Sequence, residues 1–164
     1  MISIKKVESE GLFKSECQER FKFIIGDYAT YNQHYSITIQ QDNLKTEIGL
    51  QCIDSGFEPQ AELLNDKLLV GAGQKFYVYN ADGKLIKEYP NGFIFYQFAT
   101  KAEGILVVSE LSVMLLDSKT FEIVWECNVD GTITDFDLSH EKYVEIRSGR
   151  GDTKKVCLGT GRLI

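Results

Sequence analysis

The sequence predicts an all-β fold of tandem four-stranded antiparallel sheets, and three observations predict it. A small polar residue followed by glycine recurs at Ser55-Gly56, Asn91-Gly92 and Asp130-Gly131, about 36 and 39 residues apart. An apolar run recurs inside each unit, as Lys67-Leu68-Leu69-Val70, Gly104-Ile105-Leu106-Val107-Val108 and Lys142-Tyr143-Val144-Glu145-Ile146. Strand-like runs of about five to seven residues alternate with turns of about two to four, the rhythm of an antiparallel meander. A four-stranded unit of about 40 residues, repeated in tandem, is the sequence sign of a propeller blade. The expectation is therefore an open or half β-propeller-like stack. It has an irregular N-terminal sheet over 1–54 and blade-like units over 55–90, 91–129 and 130–164. At 164 residues these form a single domain by size.

Each element has its own signal. In the N-terminal third, residues 21–26, 35–40 and 44–53 read as strands, and 2–7 as an added edge. Tyr35, Ile37 and Ile39 alternate with polar residues, as a half-buried strand requires. Gln41-Asp42-Asn43 reads as a hairpin turn and 9–20 as a short helix. Unit one has strands at 60–64, 68–71, 76–80 and 84–89, with Asn80-Ala81-Asp82-Gly83 as a turn. Unit two has strands at 93–99, 104–109, 112–116 and 121–127. Unit three has strands at 133–138, 143–147 and 154–158, and Arg162-Leu163-Ile164 is a stub of a fourth. Closed rings typically need about four blades or more. Uncovered sheet ends favour self-association, which is expected here.

The run Leu116-Asp117-Ser118-Lys119-Thr120-Phe121-Glu122-Ile123-Val124-Trp125-Glu126 resembles the blade signature of quinoprotein-type propellers. There a strand ends in Asp, a Lys-Thr-Gly turn follows and the next strand carries a Trp. Phe121 stands where that family has Gly. Tyr79-Asn80-Ala81-Asp82-Gly83-Lys84-Leu85-Ile86 is a second copy without the Trp. The resemblance implies blade geometry. It does not imply the quinone, whose ligands come from a full ring of blades, and no cofactor is expected.

Composition excludes several classes. With 43% hydrophobic and 26% charged residues, the chain is too apolar for disorder. No signal-like or membrane-length apolar run occurs, so a cytoplasmic location and no membrane partner are expected. A net charge of −6 leaves no basic footprint for direct nucleic-acid binding. Cys17, Cys52, Cys127 and Cys157 form no Cys-x-x-Cys pair. Of these, Cys52, Cys127 and Cys157 read as buried free thiols in apolar strands. His34 and His140 are isolated in sequence and read as surface residues, without a catalytic triad or metal spacing. A strand follows Gly71-Ala72-Gly73, so it reads as a hairpin turn and not a phosphate loop, which needs a helix there. Asn80-Ala81-Asp82-Gly83 and Asn128-Val129-Asp130-Gly131 lack the later ligands of a calcium loop and read as turns. Arg150-Gly151-Asp152 reads as a flexible loop. Asp135 and Asp137 share a strand face by spacing and read as solvated. Enzymatic activity is not expected.

What remains is binding. Residues 25–66 carry seven acids against the single Lys45, an excess equal to the net charge of the whole chain. A protein partner of basic character fits that distribution. The candidate partner-binding residues are Asp42, Glu47, Asp54, Glu58 and Glu62 from the acidic segment, with Tyr96 as an aromatic anchor and Glu110 and Asp135 beyond it. In size, charge and lack of catalytic motifs the chain is similar in type to bacterial toxin-immunity proteins. That likeness implies neutralisation of a cognate basic nuclease toxin. A propeller-type scaffold or adaptor subunit is the alternative.

Overall fold

The computed structural model describes residues 1–26, 32–41, 44–90 and 93–164. The chain divides into two compact units, Met1–Pro90 and Asn91–Ile164. The predicted markers Asn91-Gly92 and the turn residues Asp42 and Asn43 lie outside the described residues.

In the first unit, β1 (Ile2–Lys6), helix α1 (Glu10–Glu19), β2 (Ile24–Ile25), β3 (Gln33–Gln41) and β4 (Leu44–Cys52) come first. Their strands form one sheet in the order β1-β3-β4-β2. Its irregularity is β2, which pairs parallel to β4 through Ile24–Gly49 and Ile25–Leu50. The 21–26 run thus yields only a two-residue strand. The second sheet is the expected meander: β5 (Gln60–Leu64), β6 (Lys67–Ala72), β7 (Lys75–Asn80) and β8 (Leu85–Pro90). Tyr35, Ile37 and Ile39 from β3 meet Ile48, Leu50 and Cys52 from β4 and Leu68, Val70 and Ala72 from β6 in one core. The predicted alternation on β3 is what directs those three side chains to one face.

The opposite face of the first sheet carries α1. Ser9 is in extended conformation and its Oγ accepts the Leu12 N–H at 3.2 Å, capping the helix. Phe13 is the helix's buried residue, fully enclosed. A Cβ built on Gly49 would lie 2.7 Å from Phe21 and 2.9 Å from Phe13, so glycine opens the notch that both rings fill. Burial of Phe13 contributes about 2–3 kcal/mol.

In the second unit, β9 (Phe95–Lys101), β10 (Gly104–Ser109), β11 (Ser112–Leu116) and β12 (Ile123–Asn128) form a second complete meander. Its β10 and β11 are buried along their whole length, as are Leu68–Ala72 of β6 and Phe76–Tyr79 of β7. Consecutive apolar residues in the sequence are the cause, since neighbours on a strand point to opposite faces. The last sheet has three strands, β13 (Ile133–Asp137), β14 (Tyr143–Ser148) and β15 (Thr153–Cys157). The predicted stub appears as the single bridge Val156–Leu163. Leu106, Val108, Val113 and Leu115 pack with Ile133, Val144, Ile146 and Val156 to close this unit's core.

The turns account for two departures from the predicted strands. The first strand of unit two begins at Phe95, not at residue 93. There the Glu110 N–H bonds to Ile94 O, where the β9–β10 register shifts. The fourth strand begins at Ile123, not Phe121. Phe121 has φ of +57°, in the left-handed region, at the position where the quinoprotein-type signature has glycine. Its ring is buried, which offsets the strain. Ahead of it, Asp117 Oδ1 accepts the N–H groups of Lys119 at 2.9 Å and Thr120 at 2.7 Å. These bonds hold its carboxyl below the usual carboxylate range. Asn80 plays the same part in its turn, its Oδ1 accepting from Asp82 N at 3.1 Å and Lys84 N at 2.7 Å. Asn80-Ala81-Asp82-Gly83 is a turn as expected, Asn128-Val129-Asp130-Gly131 runs from the end of β12 into a bend, and Gly73-Gln74 is a hairpin turn between β6 and β7.

Candidate functional site

The predicted partner-binding residues fall into separate environments. Glu47 on β4 is enclosed: its carboxylate meets Arg20 at 2.7 Å and also Lys45. Lys45 and Arg20 together hold it below the usual carboxylate range. It anchors the end of α1 to the sheet, because Arg20 also reaches Glu16 at 2.9 Å. Glu62 is half-buried within β5. Asp42 lies outside the described residues. In the second unit, Tyr96 is half-buried and stacks on Phe136 with ring centroids 6.1 Å apart. Burial and then Glu110 raise its hydroxyl above the ordinary tyrosine value. Asp135 is exposed on β13, 3.9 Å from Arg147.

Asp54 and Glu58 remain, and they lie at one end of the first unit. Both are exposed, just past the end of β4. Asp54 Oδ1 accepts the Gly56 N–H at 3.1 Å, a short turn made possible by the φ of +76° at Gly56. The other oxygen, Oδ2, accepts from Gln33 Nε2 at 3.1 Å, and the Asp54 N–H donates to Asn32 Oδ1 at 2.9 Å. The acidic loop is therefore tied to the start of β3. Its field is felt behind it. Burial pushes the Tyr35 hydroxyl up to about 12, and Glu58 and Asp54 add to that rise. The Cys52 thiol is likewise pushed up to about 12 by burial first, then by Asp54 and Glu58. Phe57, 45% exposed, stands between these acids in the chain.

Beside this loop lies a polar recess of about 380 Å³, lined by Lys6, Val7, Glu8, Ser9, Glu10, Asn32, Gln33 and His34. His34 is buried, against the sequence expectation of a surface residue. Its ring packs 4.8 Å from Phe13, because α1 covers the face of β3 on which it stands. Burial lowers its proton affinity; Glu10 partly opposes this and Lys14 adds to it. Sequence reading missed Glu8 and His34 because this recess is lined from segments distant in the chain, 6–10 and 32–34. His140 is half-buried, stacked 4.3 Å from Tyr143.

Among the described residues no cluster of three or more His, Cys, Asp or Glu side chains is arranged to hold a metal ion. Cys52 is a buried free thiol, whereas Cys127 and Cys157 are half-exposed, contrary to expectation. Both lie on outer strands, β12 and β15, whose side chains are only partly covered. Arg150-Gly151-Asp152 is a tight turn, its arginine paired to Asp130 at 3.0 Å. Among the described residues no helix is long and apolar enough to cross a membrane.

No protein-family model matches the chain, and no curated protein matches it. Solved structures do. The computationally designed Ika8 protein superposes with a TM-score of 0.53 at 12% identity, over 84% of this chain and 46% of that one. BBS1N, solved in complex with ARL6DN, gives 0.51 at 16% identity, over 85% of this chain and 54% of that one. The chain spans about half the length of each. At such identities the likeness concerns the fold alone. The class is nearly all-β, built of mostly antiparallel sheets of three or four strands, of β-propeller type.

Proposed function

We propose that the chain is a non-enzymatic protein-binding domain that receives a basic partner at the end of the first unit carrying Asp54 and Glu58. One observation carries this reading. Asp54 and Glu58 are exposed on an ordered turn, with Glu8 on the neighbouring recess, whereas Glu47 is enclosed by Arg20 and Lys45. Exposed carboxylates on a fixed backbone steer a cationic surface and speed its docking. Phe57 supplies an exposed ring at the same turn for apolar contact.

In its sharper form the proposal is a cytoplasmic immunity protein that neutralises a basic nuclease toxin. The acidic composition and the absence of a catalytic motif from the sequence support it. A scaffold or adaptor role is the second reading. It is favoured by the propeller-type sheets and by BBS1N, a neighbour in fold that was solved with a protein bound.

The test is co-expression with the product of the adjacent gene. The immunity reading expects a basic protein that co-purifies and is toxic when expressed alone. Reversal of charge at Asp54 and Glu58 should weaken that complex and flatten its salt dependence. A partner whose affinity ignores both changes sinks the acidic-end reading. A non-toxic partner favours the scaffold.

A further inference from the structure

We propose that a slot at one end of the first unit's core binds a small apolar carboxylate of the size of hexanoate, its tail between the two sheets and its carboxylate on Lys22. The site stands apart from the acidic end. It lies at the Gln41–Leu44 end of the β3–β4 ladder, whereas Asp54 bonds Gln33, which pairs with Cys52 at the other end.

Strand register brings the lining together. Ile39 pairs with Thr46, and Gln41 with Leu44. All four stand an even number of residues from the core residues Ile37 and Ile48, so they share the core face of the first sheet. From the second sheet, the paired Leu63 and Leu68 belong to the same core. Phe23 adds a ring. Its C=O accepts the Gly49 N–H at 3.1 Å, and the ring stacks on Tyr79 with centroids 5.5 Å apart. Between these side chains is a slot of about 220 Å³. Ile48 and Leu68, each 1% exposed, are its enclosed part, and Leu44, 77% exposed, is its rim. The space equals about seven water volumes, which suits a short alkyl tail and excludes a long acyl chain. An alkyl tail there removes Leu44 and the Phe23 ring from water.

The polar groups of the slot choose the head group. Lys22 is the one charged residue among those that line it. Its ammonium donates to Ala81 O at 2.8 Å, and Ala81 also lines the slot, which sets the cation at the slot's edge. An ammonium has three donors, and no carboxylate pairs with this one among the described residues. Asn80 Oδ1 already accepts the Asp82 and Lys84 N–H groups, so its Nδ2 is left to donate. Thr46 adds a hydroxyl. A carboxylate matches this surplus of donors and the single positive charge. An amine meets the Lys22 charge with one of the same sign.

The test is NMR titration of the methyl-labelled chain with sodium hexanoate near pH 7, where the carboxylate is ionised. Sodium acetate, hexylammonium chloride and hexanol serve as comparators at equal ionic strength. The expected result is a saturable shift of the Leu44, Leu63 and Leu68 methyl groups with hexanoate. Hexylammonium and hexanol should bind at least about fivefold more weakly, and acetate should produce no shift. Lys22 is exposed, so Lys22→Met keeps the stem and removes only the charge. This variant should bind hexanoate about fivefold more weakly and no better than hexanol. Three results overturn the site: no saturable shift at these methyl groups, hexylammonium or hexanol binding as tightly as hexanoate, or hexanoate binding that ignores Lys22→Met. Asp54→Lys/Glu58→Lys should leave hexanoate affinity within about twofold, since distant sites act independently. Loss of either site therefore leaves the other standing.

Discussion

The first and last sheets meet the same problem in different ways. Each has one face in an apolar core and another face to dispose of. The β1-β3-β4-β2 sheet covers its second face with α1, setting Phe13 and Phe21 into the notch at Gly49 and burying His34 beneath them. The β13-β14-β15 sheet covers nothing with a helix. Its second face is polar: Asp135 faces Arg147 at 3.9 Å, Glu145 faces Lys155 at 3.8 Å, and Lys155 sits 4.5 Å above the Tyr143 ring. A shallow groove of about 150 Å³ runs between these side chains. The helical cap also borders a polar recess lined by Glu8, Ser9, Glu10 and His34. The polar face pairs its charges within itself.

Substitutions separate the two solutions by size of effect. Phe13→Ala should cost about 3–5 kcal/mol in denaturant unfolding followed by signals from the first unit. A cost under 1 kcal/mol breaks the claim that this ring holds the helix down. Gly49→Val should come next, at about 1–3 kcal/mol, because its Cβ meets rings at 2.7 and 2.9 Å. An acid dependence should follow from His34. Burial lowers its folded pKa, so the unfolded chain takes the proton first. The stability it leaves intact above about pH 6.5 should be lost as pH falls through that value toward the folded one. His34→Phe should remove this slope, and an unchanged slope contradicts the buried assignment. The smallest effect belongs to the last sheet. Lys155→Ala, an exposed ion pair and ring contact, should cost less than about 1 kcal/mol. A larger cost means that the polar face is structural and not merely solvated.

Much of this fold is legible because its strands announce both faces. Consecutive apolar residues at 68–72, 76–79, 104–108 and 113–116 leave no polar side, and those strands are buried throughout. The turns at Asn80 and Asp117 are equally legible, since their side chains bond the local backbone. Phe121 is not: its left-handed backbone is paid for by burial that no local pattern reveals. Nor is His34, whose sequence neighbours Gln33 and Tyr35 say nothing of a helix whose Phe13 lies 21 residues upstream. The site follows the same division. Asp54 and Glu58 belong to a visible excess of acid, but Glu47 belongs to it too and is enclosed by Arg20, a residue distant in the chain. Gln33 has no sequence signal either, because its bond to Asp54 Oδ2 joins residues 21 apart in the chain.

One measurement bears on the central claim most directly. With the partner obtained by co-expression, its affinity is measured by titration calorimetry for the wild-type chain and two double variants, Asp54→Lys/Glu58→Lys and Asp135→Lys/Asp137→Lys, at low and physiological salt. The account predicts that the first pair lowers affinity by about 100-fold or more at low salt and that the second changes it less than about threefold. Equal losses from both pairs, or a loss confined to Asp135 and Asp137, would contradict it.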